Sequence, residues 1–136
     1  MNSQIIFSSE RQNWKTPYKV YKELNQEFNF DFDPCPPDPN FNGLICDWGE
    51  CNFVNPPYAH IKIWLEKALI EYKKGKNIVL LLPSRTGSAW FHECVLPYAT
   101  EIRFLRGRLQ FDDCGGNAPF DSIIIVYKNN NIGEIR

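Results

Sequence analysis

The sequence predicts one α/β domain on a mostly parallel sheet with an antiparallel last strand. Three observations carry that expectation. Apolar strands alternate with helical patterns through roughly the first hundred residues. Residues 78–82 form a continuous apolar run, the pattern of a strand buried on both faces. No helical pattern separates the last two strands, at 102–105 and 122–127, so they should pair antiparallel. The 136 residues are one domain's length, and at 43% hydrophobic and 15% aromatic they can bury a core.

Taken in order, residues 1–13 are polar and read as a loose N-terminal segment ahead of a domain over 14–136. Thr16-Pro17 reads as a helix start, with Thr16 as cap and Pro17 in the first turn. Val20, Tyr21, Leu24 and Phe28 then share one helical face. Residues 30–33 read as a short strand ended by Pro34. Residues 34–43 hold four prolines and a glycine, which leaves only a structured loop. A short apolar strand at 52–54 runs into Asn55-Pro56-Pro57-Tyr58. Ile61, Trp64, Leu65, Ala68, Leu69 and Tyr72 follow at helical spacing until Gly75. Residues 88–96 read as helical, stopped by Pro97, and the Gly115-Gly116 step marks a loop before the last strand.

Charge and cysteines narrow the function classes. Fifteen basic and 16 acidic side chains leave a net charge of −1, so any nucleic-acid contact must rest on a local patch. The lysines of the long helix, Lys62, Lys67, Lys73, Lys74 and Lys76, read as a solvated face. Cys35, Cys46, Cys51, Cys94 and Cys114 are odd in number and form no CxxC pair. They read as reduced thiols, not as a disulfide frame or a zinc site, so no metal is expected. No run approaches the roughly 20 apolar residues of a membrane span.

The residues that suggest chemistry are Asn55-Pro56-Pro57-Tyr58. Two prolines fix successive φ angles and donate no hydrogen bond, so carbonyl acceptors face the site without competing donors. The asparagine adds a further acceptor and the tyrosine a flat face. Such a set suits a poorly nucleophilic amine. The Asn55 side-chain oxygen and the Pro56 carbonyl can accept hydrogen bonds from the two N–H groups of an adenine amine. The lone pair, freed from the ring, can then attack the methyl of S-adenosylmethionine (SAM), and no acid or base poised near neutrality is needed. Tyr58 would stack on a base that has left the duplex.

Several further segments, in this order, resemble the phage-type DNA adenine-N6 methyltransferases over residues 14–127. They are Trp14-Lys15-Thr16-Pro17, Phe32-Asp33-Pro34-Cys35, Gly43-Leu44 with Trp48, and Leu82-Pro83-Ser84-Arg85-Thr86 with Trp90-Phe91. Gly107-Arg108-Leu109-Gln110-Phe111 and Ala118-Pro119-Phe120-Asp121-Ser122 complete them. The resemblance implies a three-layer α/β/α, Rossmann-like fold of SAM-dependent methyltransferases. It implies SAM as cofactor and double-stranded DNA with a flipped adenine as partner. It also implies a place in the cytoplasm of a bacterial host, encoded by a phage or prophage. Thr16 and Pro17 would touch the methionine end of SAM, and Asp33, followed by Pro34 and Cys35, would hold the cofactor. Asp47 lies where such enzymes use an acid for the cofactor adenine, although Asp is also an ordinary turn residue. Arg108 is a candidate for a phosphate, with Arg85 a second substrate-binding arginine. Phe111 either stacks beneath the flipped base or packs in the core.

The chain departs from many SAM enzymes in one place. The loop after the first strand is PCPPDPNFNG, where a glycine-rich loop is common. Two other readings stand beside the first. One is a methyltransferase for RNA adenine or protein glutamine, since the motif suits any planar amine or amide. The other is a non-catalytic module that binds nucleic acid on the same fold. With no separate target-recognition domain expected, DNA recognition falls to loops 34–50 and 111–120 or to the second subunit of a homodimer.

Overall fold

A computed structural model describes residues 15–111 and 118–129. The expected loose segment 1–13, Trp14, Cys114 and the Gly115-Gly116 step lie outside the described residues. Four strands form one sheet: β1 (Cys51–Val54), β2 (Asn77–Pro83), β3 (Glu101–Phe104) and β4 (Ser122–Tyr127). Their order across the sheet is β1-β2-β4-β3. Two helices accompany them, α1 (Tyr18–Phe28) and α2 (Ile61–Lys73).

The sheet is mixed, which corrects the expectation of a mostly parallel one. β1 pairs with β2 in parallel, but β4 lies between β2 and β3 and runs against both. The physical reason is in the residues. No helix is described between β3 and β4, and a return strand without a crossover must run antiparallel. β4 is also buried along its whole length and apolar from Ile123 to Tyr127, which fits an interior position. β3, exposed at both its ends, takes the edge. The last strand is antiparallel, as its neighbours in sequence suggested.

The segment 30–33 is not a full strand. It makes one parallel bridge, Phe32 to Asn52. The Asp31 N–H donates to the Cys51 carbonyl at 2.9 Å, and the Phe53 N–H to the Phe32 carbonyl at 3.1 Å. Pairing stops there because Pro34 has no N–H to offer.

Each face of the sheet has its own apolar cluster, set by the alternation of side chains along a strand. Ile78, Leu80 and Leu82 of β2 join Ile123, Ile125 and Tyr127 of β4 against Trp64, Leu65 and Ala68 of α2. Val79 and Leu81 join Phe53, Ile124 and Val126 against Leu24 of α1, with Val20, Tyr21 and Phe28 at the margin. Helix α2 ends as predicted, at Gly75, whose φ of 103° suits glycine alone. Residues 91–95 form a π-helical turn, fixed to the sheet by a hydrogen bond from the Tyr127 hydroxyl to the Cys94 carbonyl.

Because β4 opposes the others, β1, β2 and β3 all end on the same edge of the sheet. Residues 55–58, 84–88 and 105–108 therefore gather at that edge. It is where ligands bind in open α/β sheets.

Candidate active site

Asn55 follows β1 directly, and the Pro57 backbone is extended (φ −62°, ψ 125°). The chain then turns through a 3-10 helix, Tyr58–His60, in which the His60 N–H donates to the Pro57 carbonyl at 2.9 Å. All four motif residues are buried, Asn55 at 2% and Tyr58 at 6% exposure. Rigid prolines and a buried amide suit a preorganised set of acceptors.

Beside Asn55 lies a pocket of about 290 Å³, lined in part by Thr16, Tyr21, Asp33, Cys35, Phe53 and Asn55. Thr16, Asp33 and Asn55 come from three separate segments, and the sequence predicted each as a site residue. Thr16 does not cap α1, contrary to expectation. Pro17 occupies the N-cap position, no side chain caps the helix, and the Thr16 hydroxyl instead accepts a hydrogen bond from Asn55 Nδ2 at 3.0 Å. Pro17 and Pro34 are buried next to the pocket residues without lining it.

Asp33 is the electrostatic centre of this pocket. Its Oδ1 accepts the Cys35 N–H at 2.9 Å. Burial pushes its carboxyl up to about 7, against the pull of that hydrogen bond. A carboxyl poised so close to neutrality becomes fully ionised when a cationic group approaches. The sequence did not single out Lys15, Tyr18, Tyr21, Pro37 and Phe53 as pocket residues. For Tyr21 and Phe53 the apolar pattern pointed only to the core, where both also pack.

Tyr58 sits in a group of aromatic rings. Its centroid is 5.4 Å from Phe120 and 6.5 Å from Phe111, edge-on to both. Burial pushes the Tyr58 hydroxyl far above its ordinary range, while the nearby Arg85 charge pulls it slightly back, so the ring stays neutral. Phe111 is itself buried in the core beside the Tyr58 ring, which is the core-packing alternative of its two expected roles.

A family model described as DNA N-6-adenine-methyltransferase (Dam) matches residues 3–130. The chain belongs to this family. A DNA N-6-adenine-methyltransferase of Haemophilus phage HP1 (strain HP1c1) is 28% identical over 117 residues, covering 76% of this chain and 68% of the phage protein. One of Escherichia phage T1 is 28% identical over 140 residues, covering 91% of this chain. The chain spans 57% of the length of the T1 protein. No solved structure matches the chain. The reaction that the family's description states, methylation of adenine N6 in DNA, is the one the motif chemistry suggested.

The methyltransferase does not gather all its predicted residues at the pocket. Asp47 is 85% exposed and pairs with Lys74 at 3.1 Å, away from the pocket lining. Arg85 is exposed at the motif edge, close enough to act on Tyr58. Arg108 is exposed on the same edge, 3.8 Å from Asp121. Arg103, which the sequence grouped with them, is held by Glu27 and Glu101 and ties β3 to α1. Nor are the helix lysines uniformly solvated. Lys67, Lys74 and Lys76 converge on the buried carboxylate of Glu71, at 2.8, 3.0 and 2.6 Å. Among the described residues no cluster of three or more His, Cys, Asp or Glu could hold a metal ion.

Proposed function

We propose that this methyltransferase binds SAM in the pocket of Thr16, Asp33 and Cys35 and transfers its methyl group to an adenine flipped out of double-stranded DNA. The observation that carries the reading is the meeting of Thr16, Asp33 and Asn55 at one pocket beside the Asn55-Pro56-Pro57-Tyr58 turn. The pocket residues fit the cofactor's chemistry. Asp33 offers an anion to an ammonium group, Thr16 a hydroxyl, and Tyr21 and Phe53 apolar faces.

When bound, SAM supplies an electrophilic methyl on a sulfonium sulfur. The chain's own residues prepare the nucleophile. Asn55 Oδ1 and the Pro56 carbonyl accept hydrogen bonds from the two amine N–H groups and favour a pyramidal nitrogen. These contacts strengthen as the nitrogen leaves the ring plane, so they lower the barrier more than they tighten binding. Tyr58 offers its ring to the base, with Phe111 and Phe120 supporting it from the side. Arg85 and Arg108 stand on the same edge to meet phosphates, which position the duplex without reading it. Target recognition is assigned to the loops around this edge, on one copy or two. The fold reading that goes with this function is the three-layer arrangement of SAM-dependent methyltransferases, supported by one helix in each core cluster. The cytoplasm of a bacterial host is the matching location. No helix among the described residues is long and apolar enough to cross a membrane.

The test is transfer of tritium from labelled SAM onto synthetic duplexes of varied sequence, followed by nucleoside analysis. The reading expects N6-methyladenine. Label in RNA or in protein glutamine, with none in DNA, would move the function to the second class. No transfer and no SAM binding would leave a binding module.

A further inference from the structure

An asparagine amide has an oxygen and a nitrogen of nearly equal size, and only its hydrogen bonds decide which faces a ligand. The proposed reaction needs the oxygen of Asn55 toward the target amine. With Nδ2 in that place, donor would face donor. Asn55 Nδ2 donates to Thr16 Oγ1 at 3.0 Å, with the nitrogen on the Thr16 side.

Two further observations concern Thr16. A threonine just ahead of a helix ordinarily turns its oxygen to the first backbone N–H groups, yet no side chain caps α1. Thr16 also belongs to the lining of the candidate cofactor pocket. A hydroxyl carries one proton and two lone pairs. Once its proton is given to an acceptor in the pocket, only lone pairs remain for Asn55, and the amide can bind it only through Nδ2.

We infer that Thr16 is a positioning residue that fixes the Asn55 amide oxygen-forward and makes that orientation depend on an occupied cofactor pocket. The inference rests on the catalytic reading of Asn55 given above. It gives Thr16 a second task beside contact with the cofactor.

The experiment is single-turnover methyl transfer at saturating SAM and duplex DNA, with calorimetric SAM titration and duplex binding in parallel. Thr16→Val keeps the shape and removes the hydroxyl. It should slow transfer by about tenfold or more while duplex affinity stays within about twofold. Thr16→Ser restores the hydroxyl and should return most of the rate. In an Asn55→Ala background, adding Thr16→Val should cost nothing further, because the group it positions is gone. If Thr16→Val fails to fold, Thr16→Ala against Thr16→Ser makes the same comparison. A wild-type transfer rate in Thr16→Val, while Asn55→Ala is impaired, overturns the inference alone. So do losses that multiply in the double variant, since Thr16 would then act independently of Asn55. A wild-type rate in Asn55→Ala instead overturns the catalytic reading on which the inference stands.

Discussion

Two acidic side chains, Glu71 and Asp33, are withdrawn from water and treated in opposite ways. Glu71 is fully buried and accepts hydrogen bonds from Lys67, Lys74, Lys76 and the Trp48 N–H. Burial alone would push its carboxyl up, but these four donors outweigh it and hold the carboxyl well below the carboxylate range. Asp33 has the single hydrogen bond from the Cys35 N–H, and burial carries it to about 7. The first carboxylate is saturated from within and holds the fold. The second is left short of partners and can answer to a cationic ligand. They also lie apart along the strands: Glu71 near the start of β2, and Asp33 beside the Asn55 turn that follows β1. The lysine-rich end is therefore structural, and the edge with Asp33 and Asn55 is the one to which the chemistry is assigned.

The largest effect should come from Glu71. Glu71→Gln keeps the shape and removes the charge that three lysines share. Breaking a buried ionic group by removing one partner costs about 3–5 kcal/mol, so a fall of that order is expected in urea denaturation. The acid response has a definite sign. A lowered folded value contributes stability above the unfolded glutamate value of about 4.3, lost as pH falls below it. A loss too small to measure would mean that the lysines are simply solvated, and the contrast with Asp33 would fail.

Asp33 should behave in reverse. Asp33→Asn should weaken SAM binding by about 1–3 kcal/mol, the worth of a charged hydrogen bond. The same change should stabilise the empty protein at alkaline pH. Between the unfolded value of about 3.9 and the folded value of about 7, the folded protein keeps a proton the unfolded chain has given up. Stability therefore falls as pH rises through that window, and asparagine removes the penalty, up to about 4 kcal/mol for a difference of about three pH units. SAM affinity of the wild type should weaken below a pH of about 7, by up to about tenfold per unit, and Asp33→Asn should abolish that slope. Paired calorimetry and denaturation across pH read both effects. Loss of stability in Asp33→Asn above neutrality would make Asp33 a second structural carboxylate.

The smallest effect sharpens the comparison. Asp47 is exposed and paired with Lys74, and exposed pairs contribute little. Asp47→Ala should leave the melting temperature unchanged and SAM affinity within about twofold. A large loss of affinity would bring Asp47 to the cofactor after all.

Much of this was legible in the chain. The buried strand at 78–82, the long helix with its Gly75 stop, and the place of Asp33 and Asn55 at strand ends follow from local patterns, while Thr16 was singled out as a site residue only by the family resemblance. Three things were not. The place of β4 between β2 and β3 depends on long-range pairing, which adjacent residues do not encode. The short strand at 30–33 shrank to a bridge because the Asp31 carboxylate takes the N–H groups of Glu50 and Cys51 before it and Pro34 offers no N–H after it. The Glu71 network was half visible. Lys67 lies one turn before Glu71, but Trp48 and Lys76 reach it only through the folded loops.

The loop 34–50 shows how a proline-rich segment can be held without many glycines. The Trp48 indole donates to the Gly43 carbonyl at 2.7 Å, while Glu71 and Lys76 grip the Trp48 backbone. Gly43 in turn packs so close to Pro34 that an added Cβ would lie 1.9 Å from the Pro34 carbonyl oxygen. The structural carboxylate thus braces the loop that leaves Asp33 at the pocket.

The central claim is that the Asn55 side chain acts on the reacting nitrogen. It is tested most directly by Asn55→Ala in single-turnover methyl transfer, with duplex and SAM binding titrated in parallel. The account predicts a transfer rate lowered by about a hundredfold or more, with both affinities within about threefold, because the lost contact matures only in the transition state. Transfer at the wild-type rate would contradict it and reduce Asn55-Pro56-Pro57-Tyr58 to a buried turn.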